Sequence, residues 1–139
     1  MQYHYYAFDV EFSPGTKRRK TLWRPIVEII LVYGKRIVAY PVLIDSGSDY
    51  NIFHSGVAEA LDINLTFGKK RRLYGLGEQP IKGYEHKIDL KMVGLKTVKS
   101  SAIFTKELSD HAFGVLGNVG FFNHFKVQFD YGNKIIDIE

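Results

Sequence analysis

The residue types able to do chemistry in this chain gather in one stretch, Val42-Leu43-Ile44-Asp45-Ser46-Gly47-Ser48-Asp49. A carboxylate ends a wholly apolar segment and is followed at once by hydroxyl side chains and a glycine. Desolvation disfavours an isolated charge there, so Asp45 must be paired, hydrogen-bonded or protonated. The Ser hydroxyls and the exposed amides of a Gly turn are the available donors. A carboxyl group held this way is equipped for acid or base work. Neither Ser46 nor Ser48 lies in G-x-S-x-G, which sets serine nucleophiles aside. With no cysteine in the chain, disulfides, thiolate metal sites and cysteine nucleophiles are excluded. The five histidines (His4, His54, His86, His111 and His124) lack the helical i, i+4 pairing of a zinc site, and neither a metal nor a cofactor is expected.

The segments that must position Asp45 read as strands. Four Pro and 13 Gly punctuate short β-branched and aromatic runs, the pattern of an all-β domain. Residues 3–12 alternate loosely, and Ser13-Pro14-Gly15 then breaks the chain ahead of a basic loop. From Pro25 two apolar segments split at Tyr33-Gly34-Lys35 predict a β-hairpin that ends at Asp45. Ser55 is placed to cap a short helix with Val57 and Leu61 on one side. A second hairpin is expected over 71–93 around residues 75–80, and a further strand over 95–104. Asn118 is placed to cap a second short helix carrying Val119, Phe122 and Phe125, followed by strands near 126–130 and 134–138.

The length accommodates one domain, with residues 1–22 as a strand-bearing arm and mobile basic loop attached to a body at 23–139. The net charge of +4 resides largely in Lys17-Arg18-Arg19-Lys20 and Lys69-Lys70-Arg71-Arg72. Such runs are ordinarily solvated loop or strand edges, so a nucleic-acid partner is not expected. The chain carries neither a bilayer-length apolar run nor a secretory signal pattern, which leads to the expectation of a cytoplasmic protein without a membrane partner.

At three places, in order, the chain resembles the retropepsin family, the single-lobe aspartic proteases of retroviruses and their cellular and bacterial relatives. The apolar strand with DSGS at 42–48 is similar to the D-[ST]-G-[AS] active-site turn. Leu73-Tyr74-Gly75-Leu76-Gly77, with Ile81-Lys82 following, is similar to the glycine-bearing flap. Gly114-Val115-Leu116-Gly117-Asn118, leading into residues 119–122, is similar to the apolar-apolar-Gly strand and helix behind the turn. The resemblance spans roughly residues 25–130.

It implies an all-β, retropepsin-like half-barrel with one or two short helices, active as a C2 homodimer. Peptide hydrolysis needs an activated water and a proton for the carbonyl oxygen, which two close carboxylates supply when they share one proton. Only one Asp-[Ser/Thr]-Gly is present, so the second carboxylate is expected from Asp45 of another copy. By the same resemblance Ser46 would bond across the two-fold axis, and Gly47 would let backbone approach carboxylate and substrate. Asp49 would bond the main chain of a polypeptide substrate, while Ile52, Leu76 and Val115 would line side-chain pockets. Gly75 and Gly77 would let the flap move.

Two positions depart from the family pattern. Asn118 stands where an Arg is frequent, which weakens support for Asp49. Ser48 stands where retroviral enzymes commonly have Ala, and its hydroxyl is expected to donate to Asp45, moving the activity optimum toward acid. The terminal strands, near 3–10 and 134–139, are expected to hold the dimer because they are otherwise left unpaired. The alternative from a different class is a catalytically silent dimeric module that binds peptide or an acidic partner.

Overall fold

A computed structural model describes residues 1–75, 77–109 and 112–139. Among these described residues, twelve strands and one α-helix are formed. The strands are β1 (Gln2–His4), β2 (Tyr6–Glu11), β3 (Arg19–Arg24), β4 (Ile26–Tyr33), β5 (Arg36–Ile44) and β6 (Ile52–His54). After helix α1 (Ser55–Ala60) come β7 (Lys69–Leu73), β8 (Ile81–Lys91), β9 (Val98–Thr105), β10 (Gly114–Leu116), β11 (Val127–Asp130) and β12 (Ile135–Ile138).

Seven strands form the main sheet in the order β4-β5-β10-β6-β9-β8-β7. The sheet curls until its ends meet. The first half of the long strand β8 pairs with β7 (Leu73 opposite Ile81), and its far end pairs with β4 (Leu31 opposite Leu90). One strand serves both neighbours because a bent, twisted strand turns its edge along its length. Alternation then fills the inside. In β4, Val27, Ile29 and Leu31 are buried while Glu28 is exposed, and Val42, Ile44, Phe53, Leu90, Phe104 and Leu116 meet them from neighbouring strands. Each fully buried aliphatic or aromatic side chain contributes about 1.5–3 kcal/mol.

The β4–β5 hairpin forms where the sequence predicts it. Tyr33 pairs with Arg36, and Gly34 takes a φ of 57° in the two-residue turn, a conformation that L side chains rarely adopt. The second predicted hairpin is β7–β8 and the last is β11–β12.

Other expectations are corrected. The helix at 55 is capped by His54, not by Ser55: the His54 imidazole Nδ1 accepts from the Gly56 amide at 2.9 Å, and Ser55 is already the first helical residue. No α-helix follows Asn118. Gly120 sits at φ 109°, outside the helical region, so residues 117–124 form wide turns with Phe122 N donating to Gly117 O at 3.2 Å, and the Asn118 amide donates to the Ser48 carbonyl. Phe121 and Phe125, rather than Val119 and Phe122, bury there.

The strand expected over 3–12 is divided at Tyr5, and the basic run does not form a loop throughout: Arg19 and Lys20 begin β3, paired with β2. The terminal strands are not left unpaired. β12 lies between β1 and β11 in a three-stranded sheet within the one chain, with Tyr3 opposite Ile136 and Phe129 opposite Ile136 on the other side.

Candidate active site

Asp45 stands at the end of β5 because three strands converge there. β5 and β10 run parallel, Leu43 opposite Val115 and Ile44 opposite Leu116, and β10 pairs on its other edge with β6 through Val115 and Ile52. β10 is thus inserted between β5 and β6, which are consecutive in the chain, and the connecting turn at 45–51 lies across its end. The Asp45 amide donates to the Leu116 carbonyl at 3.0 Å.

The turn is held by its own backbone. The Gly47 amide donates to Asp45 Oδ1 at 2.8 Å, and the Ser48 amide donates to the Asp45 carbonyl at 3.1 Å. A Cβ at Gly47 would sit 3.1 Å from that same Oδ1, so the missing side chain keeps the approach to the carboxylate open. Asp45 is half-buried, while Ser46, Gly47 and Asp49 are exposed.

A second loop, residues 117–119, is laced to the first. Asn118 N donates to Ser48 O and Val119 N to Asp49 O, both at 2.8 Å. Gly117 must be glycine here, since a Cβ would come within 2.3 Å of the Tyr50 carbonyl oxygen. Below the two loops lies Asn51, fully buried and fully bonded. Its Oδ1 accepts from the Gly117 amide at 2.9 Å, and its Nδ2 donates to Ser101 O at 3.1 Å and to Ser100 Oγ at 3.2 Å. The Ser100 hydroxyl in turn donates to the Gly120 carbonyl at 2.6 Å. One side chain therefore fixes the Asp45 turn, the facing loop and β9 together.

Asn118 takes up a different task from the one its position suggested: its Nδ2 donates to the Ser46 carbonyl at 3.3 Å, bracing the turn. The expectation for Ser48 is corrected, because its hydroxyl donates to the Tyr50 carbonyl at 2.8 Å rather than to Asp45. The hydrogen bond on which the expected acid optimum rested is thus directed elsewhere.

A cleft of about 300 Å³ opens beside the turn, lined by Gly47, Ser48, Asp49, Tyr50 and Ile52 on one side and by Arg72, Leu73 and Tyr74 of the β7–β8 hairpin on the other. Ile52 and Val115 are half-buried, facing away from the core that their neighbours Phe53 and Leu116 fill. Gly75 and Gly77 lie in the hairpin connection past this lining, exposed and with open space where a Cβ would be; Leu76 lies outside the described residues. Sequence reading missed Tyr50, Asn51, Arg72 and Tyr74. For Arg72 and Tyr74 a signal existed, since both flank the Gly75-containing turn on the hairpin already singled out.

A larger groove, about 710 Å³, opens elsewhere between the β4–β5 turn, β8, β9 and residues 119–124. Within it Lys99 pairs with Asp89 at 2.8 Å, and Asp45 is not part of its lining. Among the described residues no cluster of three or more His, Asp or Glu is arranged to hold a metal ion. No described helix is long and apolar enough to cross a membrane.

No protein-family model and no curated protein matches the chain. Among solved structures it is similar to a retropepsin-like aspartic protease from Rickettsia conorii, with a TM-score of 0.58 and 19% identity over 82% of this chain and 89% of that one. The EIAV protease complexed with the inhibitor HBY-793 aligns with a TM-score of 0.48 and 16% identity, over 78% of this chain and 88% of that one. At such identities the likeness is one of fold, and the first of these carries it: the chain has a retropepsin-like fold.

Proposed function

We propose, from this retropepsin-like fold, that the chain is an aspartic-type endopeptidase in which Asp45 of one copy and Asp45 of a second share a proton and activate one water. The observation that carries the reading is the setting of Asp45. It ends β5 at the junction with β10, accepts the Gly47 amide, and lies beside a cleft with a glycine-bearing hairpin opposite. One carboxylate cannot both accept a proton from water and deliver one to the peptide carbonyl, whereas a pair with one shared proton does both. The pair titrates as a unit, so its pKa values belong to both copies together.

Other residues take roles accordingly. Ser46 bonds across the two-fold axis and Gly47 leaves room for backbone. Asp49 bonds the substrate main chain. Ile52, Val115 and Leu76 shape apolar pockets for side chains of an extended polypeptide that lies as an added strand between the flap and the active-site floor. Gly75 and Gly77 supply the backbone freedom for flap opening.

The test is hydrolysis of unfolded polypeptide by purified protein beside its Asp45→Asn variant, which keeps shape and removes charge. Turnover is expected to fall by about 10³-fold or more, with thermal unfolding nearly unchanged. Cleavage that survives the substitution, or a wild type silent from acid to neutral pH, contradicts the proposal.

A further inference from the structure

We propose that the β2–β3 hairpin is the arm by which one copy seats the second, a step that rests on the paired-Asp45 reading. The terminal sheet is tied together within the chain, with its central strand β12 paired on both edges. The Met1 amino group donates to the Ile138 carbonyl and the Ile138 amide donates back to the Met1 carbonyl, both at 2.9 Å, and the Tyr5 amide donates to Lys134 O. The β2–β3 hairpin is held to the body far less firmly.

β2 and β3 form a separate two-stranded sheet and make extensive contact only with each other. Their reach to the body is slight: Phe8 packs edge-on against Phe113 with centroids 5.6 Å apart, and Lys134 lies 5.8 Å from the Trp23 ring. No residue from 1 to 25 is buried, although Tyr6, Phe12 and Trp23 are there at 56, 61 and 38% exposure. A lone two-stranded hairpin is marginally stable in water, and exposed aromatic side chains are what protein interfaces bury.

Position and charge name the occupant. The hairpin is rooted at Pro25, whose carbonyl accepts from the Ile44 amide at 2.9 Å, so its root lies beside the residue that precedes Asp45. A two-fold axis that brings two Asp45 side chains together brings both roots to that axis. β2 carries Asp9 and Glu11, and β3 carries Arg19, Lys20 and Arg24. An element with one acidic and one basic strand complements a second copy of itself, as an isologous contact requires.

Trp23 is the chain's single tryptophan, so it reports on the arm without labelling. Wild-type protein is diluted and followed by sedimentation velocity, Trp emission and iodide quenching. The expected result is that dimer loss, red shift and increased quenching share one midpoint. In parallel, Tyr6→Asp/Phe12→Asp is expected to raise the dimer Kd by about 30-fold or more, as loss of interface anchors does. Phe129→Asp, on the terminal sheet, is expected to leave it within about threefold. Emission and quenching that ignore a monomer–dimer transition overturn the inference, as does a dimer sensitive to Phe129→Asp but indifferent to the hairpin pair. A hairpin variant that stays dimeric and active rejects the arm and leaves the Asp45 pair standing. Hairpin-dependent dimers whose cleavage ignores Asp45→Asn reject the catalytic reading and leave the arm standing.

Discussion

Asn51 illustrates how much of a reacting group's position is set by a neighbour with no chemistry of its own. Its amide bonds Gly117, 66 residues away, and Ser100, 49 residues away, and so ties the Asp45 turn to the loop facing it. Asn51→Ala is expected to lower stability by about 2 kcal/mol or more, since it leaves the Gly117 amide and the Ser101 carbonyl without their partner in a buried place. Chemical denaturation checks this; an unchanged midpoint contradicts it. The sequence made Asp45 conspicuous because an acid at the end of an apolar strand is anomalous by itself. It could not mark Asn51, whose partners are distant, nor foresee that the Ser48 hydroxyl turns to Tyr50 O, because that choice depends on how the turn closes.

Short-range chemistry decides the elements, and they were legible wherever it stayed local. Gly34 in a two-residue turn and alternation on either side suffice for β4–β5. The helix start was misplaced by one residue because an imidazole replaces the usual hydroxyl cap. His54→Ala removes the acceptor of the Gly56 amide and is expected to cost about 1 kcal/mol, measurable as a lowered unfolding midpoint. The helix expected after Asn118 is broken at Gly120, whose φ of 109° lies outside the helical region.

In the β11–β12 turn, Asp130 accepts from the Asn133 amide at 2.9 Å and from Asn133 Nδ2 at 2.7 Å. Those bonds, the backbone one foremost, hold its carboxyl below the ordinary value of 3.8. A carboxyl lowered on folding stabilises the protein above its ordinary value, and that contribution is lost as pH falls through the lowered one. Wild type is therefore expected to exceed Asp130→Ala in stability at neutral pH and to converge with it in acid. Unfolding curves recorded from pH 7 to pH 2 check this, and a constant difference contradicts it.

At the scale of the whole molecule, closure of the sheet depends on β8 bending from β7 to β4, and the candidate site on β10 slipping between β5 and β6. Neither the β8–β4 pairing nor those of β10 join consecutive strands, so strand periodicity predicts the strands and not their order. The same limit applies to the termini, which read as unpaired edges and instead bond each other. On the proposed reading, the carboxylate that works with Asp45 comes from an identical copy across a two-fold axis. The most direct test is to refold wild type with Asp45→Asn copies in equal amounts at fixed total concentration and measure cleavage. If each site is built from two Asp45 residues, random pairing leaves roughly a quarter of wild-type activity. A residual activity of roughly half, as expected when each copy acts alone, would contradict the account.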